Sequence, residues 1–189
     1  MKKLDKKVLI AGATGVIGSH LSSFFKDKVD LTLLSLNKKD ISKNYVSVNL
    51  CKNDEVDNFV CSGPKYDAII FLVGLAHSKG KSKDFDAFES VNLKSLKNLI
   101  NSFRKYDKIP DKIIYSSTIS VYGENLQKNF YNENSLKSPS SPYARTKLDA
   151  EKFLIKDYFK KSWIIRLAPV YSSNFLLNIE RRTKINGIF

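Results

Sequence analysis

Little in this chain of 189 residues is cysteine, proline, histidine, methionine or tryptophan, with counts of 2, 5, 2, 1 and 1. Each scarcity closes a class of function. Cys51 and Cys61 stand outside any CxxC or ligand-spaced cluster, which excludes a disulfide scaffold and a thiolate metal centre. They read as reduced structural thiols. His20 and His77 have no carboxylate or second histidine at ligand spacing, so they too read as structural and no metal site is expected. The longest apolar stretches, such as 68–76, fall far short of the roughly 20 residues that span a bilayer. Met1-Lys2-Lys3 is basic, but the apolar run behind it is brief and leads into glycines, unlike a secretory leader. A cytoplasmic location is the expectation. Acid is scarce as well: 19 Asp and Glu against 32 Lys and Arg leave a net charge of +13. The lysines are scattered, not ranked on one face among aromatics, so a nucleic-acid surface is not expected. A general positive field does favour a substrate carrying a diphosphate.

What is present is alternation. Strand-like apolar runs at 7–11, 31–36, 45–50, 68–73, 112–116 and 163–167 are interleaved with helical patterns at 17–25, 54–60, 84–105 and 142–159. In the long helix of this set, Phe85, Phe88, Val91, Leu93, Leu96, Leu99, Ile100 and Phe103 recur at three- and four-residue spacing. No internal repeat or low-complexity linker breaks the order. Such alternation predicts an α/β fold, a doubly wound parallel sheet with right-handed crossovers. Ligands of that architecture sit outside the carboxyl ends of the strands. The Asn-, Ser- and Pro-rich stretch 124–141 reads as a long functional surface loop.

Gly12-Ala13-Thr14-Gly15-Val16-Ile17-Gly18 follows the first strand and opens the first helix. One glycine makes the tight turn, one admits the pyrophosphate to the backbone, and one lets helix and strand pack closely. The helix N-terminus adds free N–H groups and partial positive charge. NAD is the expected ligand, with NADP also allowed. An acidic residue should follow the second strand to bind the adenosine ribose; Leu34-Ser35-Leu36-Asn37-Lys38-Lys39 offers none. Ser35 or Asn37 could bond ribose hydroxyls, and Lys38 or Lys39 could pair with a 2′-phosphate.

Tyr143-Ala144-Arg145-Thr146-Lys147 puts a phenol and an ammonium on one face of a helix. A tyrosine base needs nearby positive charge to bring its pKa down from about 10, and Lys147 and an oxidised nicotinamide ring would both supply it. Ser116-Ser117-Thr118 ends a strand on the edge where the cofactor is expected. A hydroxyl there can bond the oxygen whose proton Tyr143 removes.

Together these residues resemble the extended short-chain dehydrogenase/reductases, the NAD-dependent epimerase/dehydratase family of nucleotide-sugar enzymes. The likeness runs from Val8 to about Ser172. It takes in the glycine turn, Phe71-Leu-Val-Gly-Leu-Ala-His77, Val91-Asn92, Ser116-Ser-Thr-Ile-Ser-Val-Tyr-Gly123 and Ser141-Pro-Tyr-Ala-Arg-Thr-Lys147. The resemblance implies a Rossmann domain over 1–172 and, over 173–189, only the start of a substrate-binding portion that is otherwise largely absent. The chain is then either a fragment or a naturally short form. Thr118, Tyr143 and Lys147 would be catalytic. Gly12, Thr14, Gly15, Val16, Ile17, Gly18, Ser35, Asn37, Asn49, Leu50, Leu72, Val73, Gly74, Asn92 and Ser116 would hold the cofactor together with Tyr143 and Lys147. In relatives that dehydrate, an acidic residue precedes Val-Tyr-Gly; here Ile119 and Ser120 stand there, so the spacing is closest to UDP-glucose 4-epimerases. Pro169 stands where many sugar epimerases have an asparagine. A UDP-sugar substrate and 4-epimerisation through a 4-keto sugar are implied, with a 4-keto reductase or a non-catalytic cofactor-binding module as alternatives. Family members often dimerise through helices like 84–105 and 142–159.

Overall fold

The computed structural model describes residues 3–36, 44–76, 85–123, 130–172 and 175–176. Asn37, Lys38, Lys39, His77, Asp84, Arg181 and Arg182 lie outside the described residues, as do 124–129 of the long loop and nearly all of 173–189. The chain runs β1 (Lys7–Ala11), α1 (Val16–Phe25), β2 (Asp30–Ser35), β3 (Tyr45–Ser47), α2 (Asn53–Ser62), β4 (Ala68–Phe71), α3 (Phe85–Glu89), α4 (Ser95–Lys105), β5 (Lys112–Thr118), α5 (Pro142–Tyr158) and β6 (Ser162–Leu167). A π-helical turn, Ser90–Lys94, joins α3 to α4, and a 3-10 turn, Ile119–Tyr122, follows β5.

The described strands form one six-stranded sheet, ordered β3-β2-β1-β4-β5-β6, with every pairing parallel. Parallel strands need both faces covered, and their near-continuous apolar sequences follow from that. Leu9, Ala11, Ile69, Phe71, Ile113 and Tyr115 face one core with Val56 and Val60 of α2, Leu96 and Leu99 of α4, and Ala150 and Leu154 of α5. Val8, Ile10, Leu31, Leu33 and Ile70 face the other, where Leu21 and Phe25 of α1 pack. The strand order reverses between β1 and β4, and the carboxyl ends of those two strands open the crevice that such sheets use for ligands. The doubly wound α/β expectation holds.

Three elements depart from the sequence pattern for local reasons. β3 stops at Ser47, short of Leu50, because the Asn49 amide donates to the Glu55 carboxylate (2.8 Å) and Leu50 turns into the core. The helix expected over 84–105 is interrupted by the π turn, where the Ser95 amide reaches back five residues to the Ser90 carbonyl. That shift leaves Phe85 exposed and turns Asn92 inward. β5 continues to Thr118 because β6 pairs with it as far as Thr118 opposite Leu167. Cys51 and Cys61 are free and exposed, so they are surface thiols, not packing groups. His20 is also exposed; its Nδ1 lies 2.8 Å from the Val16 carbonyl.

Candidate active site

The turn after β1 is built so that α1 begins pointing at open space. Gly12 takes φ +87°, a left-handed conformation that favours glycine. Its amide and that of Ala13 both donate to the Leu34 carbonyl, at 3.0 and 3.1 Å, which pins the turn to β2. Gly18 is a matter of space: a Cβ there would lie 2.2 Å from the Gly12 carbonyl oxygen and 2.8 Å from the Ala13 Cα. Gly15 is the N-cap, with no side chain bonding the first-turn amides and no acidic residue in that turn. Those amides have no intrahelical partners, and together with the helix dipole they form an anion site.

In front of the turn lies a cleft of about 800 Å³, a size suited to a small-molecule cofactor. Gly12, residues 15–18, Leu72, Gly74, Ala76, residues 116–120, Gly123, Tyr143, residues 167–170 and Phe175 line it. Tyr143, in the first turn of α5, hydrogen-bonds with the Thr118 hydroxyl from the end of β5. Pro142 at the helix start and the Ser141 side chain, which accepts from the Ala144 amide at 3.2 Å, fix where α5 begins. Lys147 lies one helical turn on, only 3 % exposed. Its ammonium donates to the Ser116 carbonyl at 2.9 Å and faces the Tyr115 ring at 4.9 Å. It fits behind the cleft wall because Gly74 has no side chain there; a Cβ on Gly74 would sit 3.0 Å from the Lys147 Nζ.

The Tyr143 phenol is largely buried at the cleft wall. Burial pushes the phenol up, and only the Thr118 bond pulls it down. The Lys147 ammonium is aimed at the Ser116 carbonyl, and burial brings it down to about 8. Tyr115 is no competing base: it is fully buried, and desolvation holds its phenol well above the usual range.

Lys147 therefore gives a pH signature. An unfolded lysine titrates near 10.5, so the cost of burying its charge is fully present below pH 8 and is relieved as pH rises from 8 to 10.5. Stability of the cofactor-free protein is expected to rise through that window, approaching about 3 kcal/mol in total, until unfolded tyrosines ionise near pH 10. Denaturant unfolding at pH 7.5 and 9.5 checks this, with Lys147→Met expected to abolish the rise.

Several residues expected at the cofactor also make structural contacts. Asn92 is fully buried; its Oδ1 accepts from the Leu75 amide (2.7 Å), and its Nδ2 donates to the Leu75 carbonyl (3.2 Å) and the Thr146 hydroxyl (3.0 Å). It braces the segment after β4 against α5 and does not line the cleft. Leu50 belongs to the core, and the Asn49 side chain accepts from the Cys51 amide at 3.0 Å. Val73 packs against the core between the two cleft-lining positions Leu72 and Gly74. Thr14 and Ser35 share a hydrogen bond of 3.1 Å, linking the glycine turn to the end of β2. Ser120, which stands where dehydrating relatives are expected to carry an acid, also lines the cleft, and its hydroxyl accepts from Thr118 at 3.3 Å. The sequence reading passed over Glu151 and Arg166 as a pair, although an acid one turn past Lys147 on a buried helix face is a readable signal.

A model of the NAD dependent epimerase/dehydratase family matches residues 8–184. The chain belongs to that family. Among its relatives, the dTDP-D-glucose 4,6-dehydratase of Mus musculus is 28 % identical over 170 residues, which span 82 % of this chain and 47 % of that protein. YtcB, an uncharacterized UDP-glucose epimerase of Bacillus subtilis, is 29 % identical over 189 residues, 87 % of this chain and 57 % of that one. The solved UDP-Glc/GlcNAc 4-epimerase of Campylobacter jejuni superposes with a TM-score of 0.72 at 25 % identity, covering 91 % of this chain and 60 % of its own. The chain thus spans about half the length of the curated relatives it matches. Among the described residues, no carboxylate lines the cleft. Also among the described residues, no helix is long and apolar enough to cross a membrane, and no cluster of His, Cys, Asp and Glu could hold a metal ion.

Proposed function

We propose that residues 1–172 are the cofactor-binding and catalytic part of an NAD-dependent nucleotide-sugar 4-epimerase, acting on a UDP-sugar. The observation that carries this is the Tyr143–Thr118 pair set over the glycine turn in a cleft whose described lining has no acidic side chain. The residues fit a dinucleotide. Gly12 and Gly18 let the turn and the start of α1 pack tightly against backbone where a Cβ would clash, the uncapped amides of α1 suit a pyrophosphate, and Gly74 and Ser116 border the buried Lys147. The second strand supplies Ser35 in place of an acid, which is compatible with NAD and does not exclude NADP. When bound, the nicotinamide supplies the hydride acceptor and then the hydride donor.

The chain's own part is proton handling and positioning. Tyr143, as phenolate, accepts the proton of the sugar 4-hydroxyl, and Thr118 hydrogen-bonds that oxygen. The positive charge of Lys147 and of the oxidised ring favours the phenolate that burial alone opposes. A 4-keto sugar free to turn within the cleft then exposes its other face, and Tyr143 returns the proton. The family likeness to dTDP-D-glucose 4,6-dehydratases supports a second reading, dehydration. Elimination across C5 and C6 needs an acid and a base beyond Tyr143, and Ile119 and Ser120 supply neither. The net charge of +13 favours the diphosphate in either case.

Incubation of the protein with NAD⁺ and UDP-glucose or UDP-N-acetylglucosamine, followed by NMR of the sugar product, separates the readings. The expected product is the C4 epimer with no net NADH. A 4-keto-6-deoxy sugar would establish dehydration, and stoichiometric NADH a dehydrogenase.

A further inference from the structure

Glu151 is fully buried, on the same stripe of α5 as Tyr143 and Lys147, eight and four residues on. Its carboxylate accepts from the Ser117 hydroxyl at 2.5 Å and from Arg166 Nε and Nη2 at 3.0 and 2.7 Å. The remaining arm of Arg166 donates to the Tyr122 hydroxyl at 2.6 Å, and its guanidinium lies 5.0 Å from the Tyr122 ring. One ion pair thereby ties α5 to β5, to β6 and to the 3-10 turn. Ser117 stands between the two residues that meet the reacting groups: Ser116, whose carbonyl holds Lys147, and Thr118, which bonds Tyr143.

We propose that the Glu151–Arg166 pair is a positioning device that sets the register of α5 against β5, keeping Tyr143 on Thr118 and Lys147 on Ser116. This rests on the reading of Tyr143 and Lys147 as reacting groups. The physical grounds are two. Stability alone gives little reason for a buried ion pair, since apolar residues of similar volume pack there as well or better. A carboxylate with three fixed donors, by contrast, accepts one alignment only: sliding α5 by a single residue moves it 1.5 Å and turns it by about 100°. Either change carries the Tyr143 phenol off Thr118, and displacements near 1 Å are enough to cost about 100-fold in rate.

The test reads the Tyr143 phenol itself, in the cofactor-free chain. Ultraviolet difference titration of Glu151→Gln, with Tyr143→Phe subtracted in each background, isolates that one tyrosine. With the Thr118 bond loosened, its midpoint is expected to rise by about one pH unit, which is tenfold less phenolate at a given pH. An unchanged midpoint accompanied by a lower melting temperature would overturn the proposal and leave the pair a packing feature. Should Glu151→Gln not fold, Ser117→Ala removes one hydrogen bond and no charge. It is expected to raise the midpoint by about half a unit, and no rise there would equally overturn it. The titration needs neither cofactor nor sugar. Failure of the wild-type chain to bind NAD⁺ would therefore sink the proposed function while leaving the positioning result readable.

Discussion

Gly18→Ala is expected to abolish measurable NAD⁺ binding and to destabilise the protein by about 1–3 kcal/mol, the usual cost of forcing atoms into a packed site. The added methyl would meet the Gly12 carbonyl at 2.2 Å and the Ala13 Cα at 2.8 Å. Both are backbone atoms, so no side-chain rotation relieves the clash and α1 must retreat from β1. Gly12 has no slack to offer, since it is held at φ +87° and bonded to Leu34. A retreating helix withdraws the amides and the dipole from the pyrophosphate, and an anion site loses strength within about one helical turn. Calorimetric titration with NAD⁺, alongside denaturant unfolding, measures the two effects separately. Binding within a factor of three of wild type would show that the cofactor does not rest on this turn.

The glycine turn was legible in the sequence because its demands are local: a turn, a close approach and a helix start are all set within seven residues. Thr118, Tyr143 and Lys147 were legible for a related reason. A strand end and a four-residue helical spacing bring them to one edge of any doubly wound sheet, and the structure does place Thr118 and Tyr143 in one cleft. Asn92 was harder. Its inward turn depends on the π-helical residues 90–94, and its partners Leu75 and Thr146 come from distant segments. Asn49 and Leu50 fall outside β3, contrary to the apolar run 45–50, because the Glu55 carboxylate takes the Asn49 amide. The protonation of Tyr143 was beyond reach altogether. Sequence spacing puts Lys147 near the phenol, but only the fold shows the ammonium buried and turned to Ser116.

Burial pushes the Tyr143 phenol up and brings the Lys147 ammonium down to about 8, and on the proposed reading positive charge beside the phenol favours its phenolate. Under the proposed function, Tyr143 is the group that takes the 4-hydroxyl proton. The most direct measurement is the turnover of UDP-glucose with saturating NAD⁺ by wild type and by Tyr143→Phe, each with its NAD⁺ affinity determined. Loss of a general base is expected to lower turnover by about 10²–10⁴-fold while NAD⁺ affinity stays within about threefold. Equal turnover by the two proteins would contradict the assignment of Tyr143 as the base.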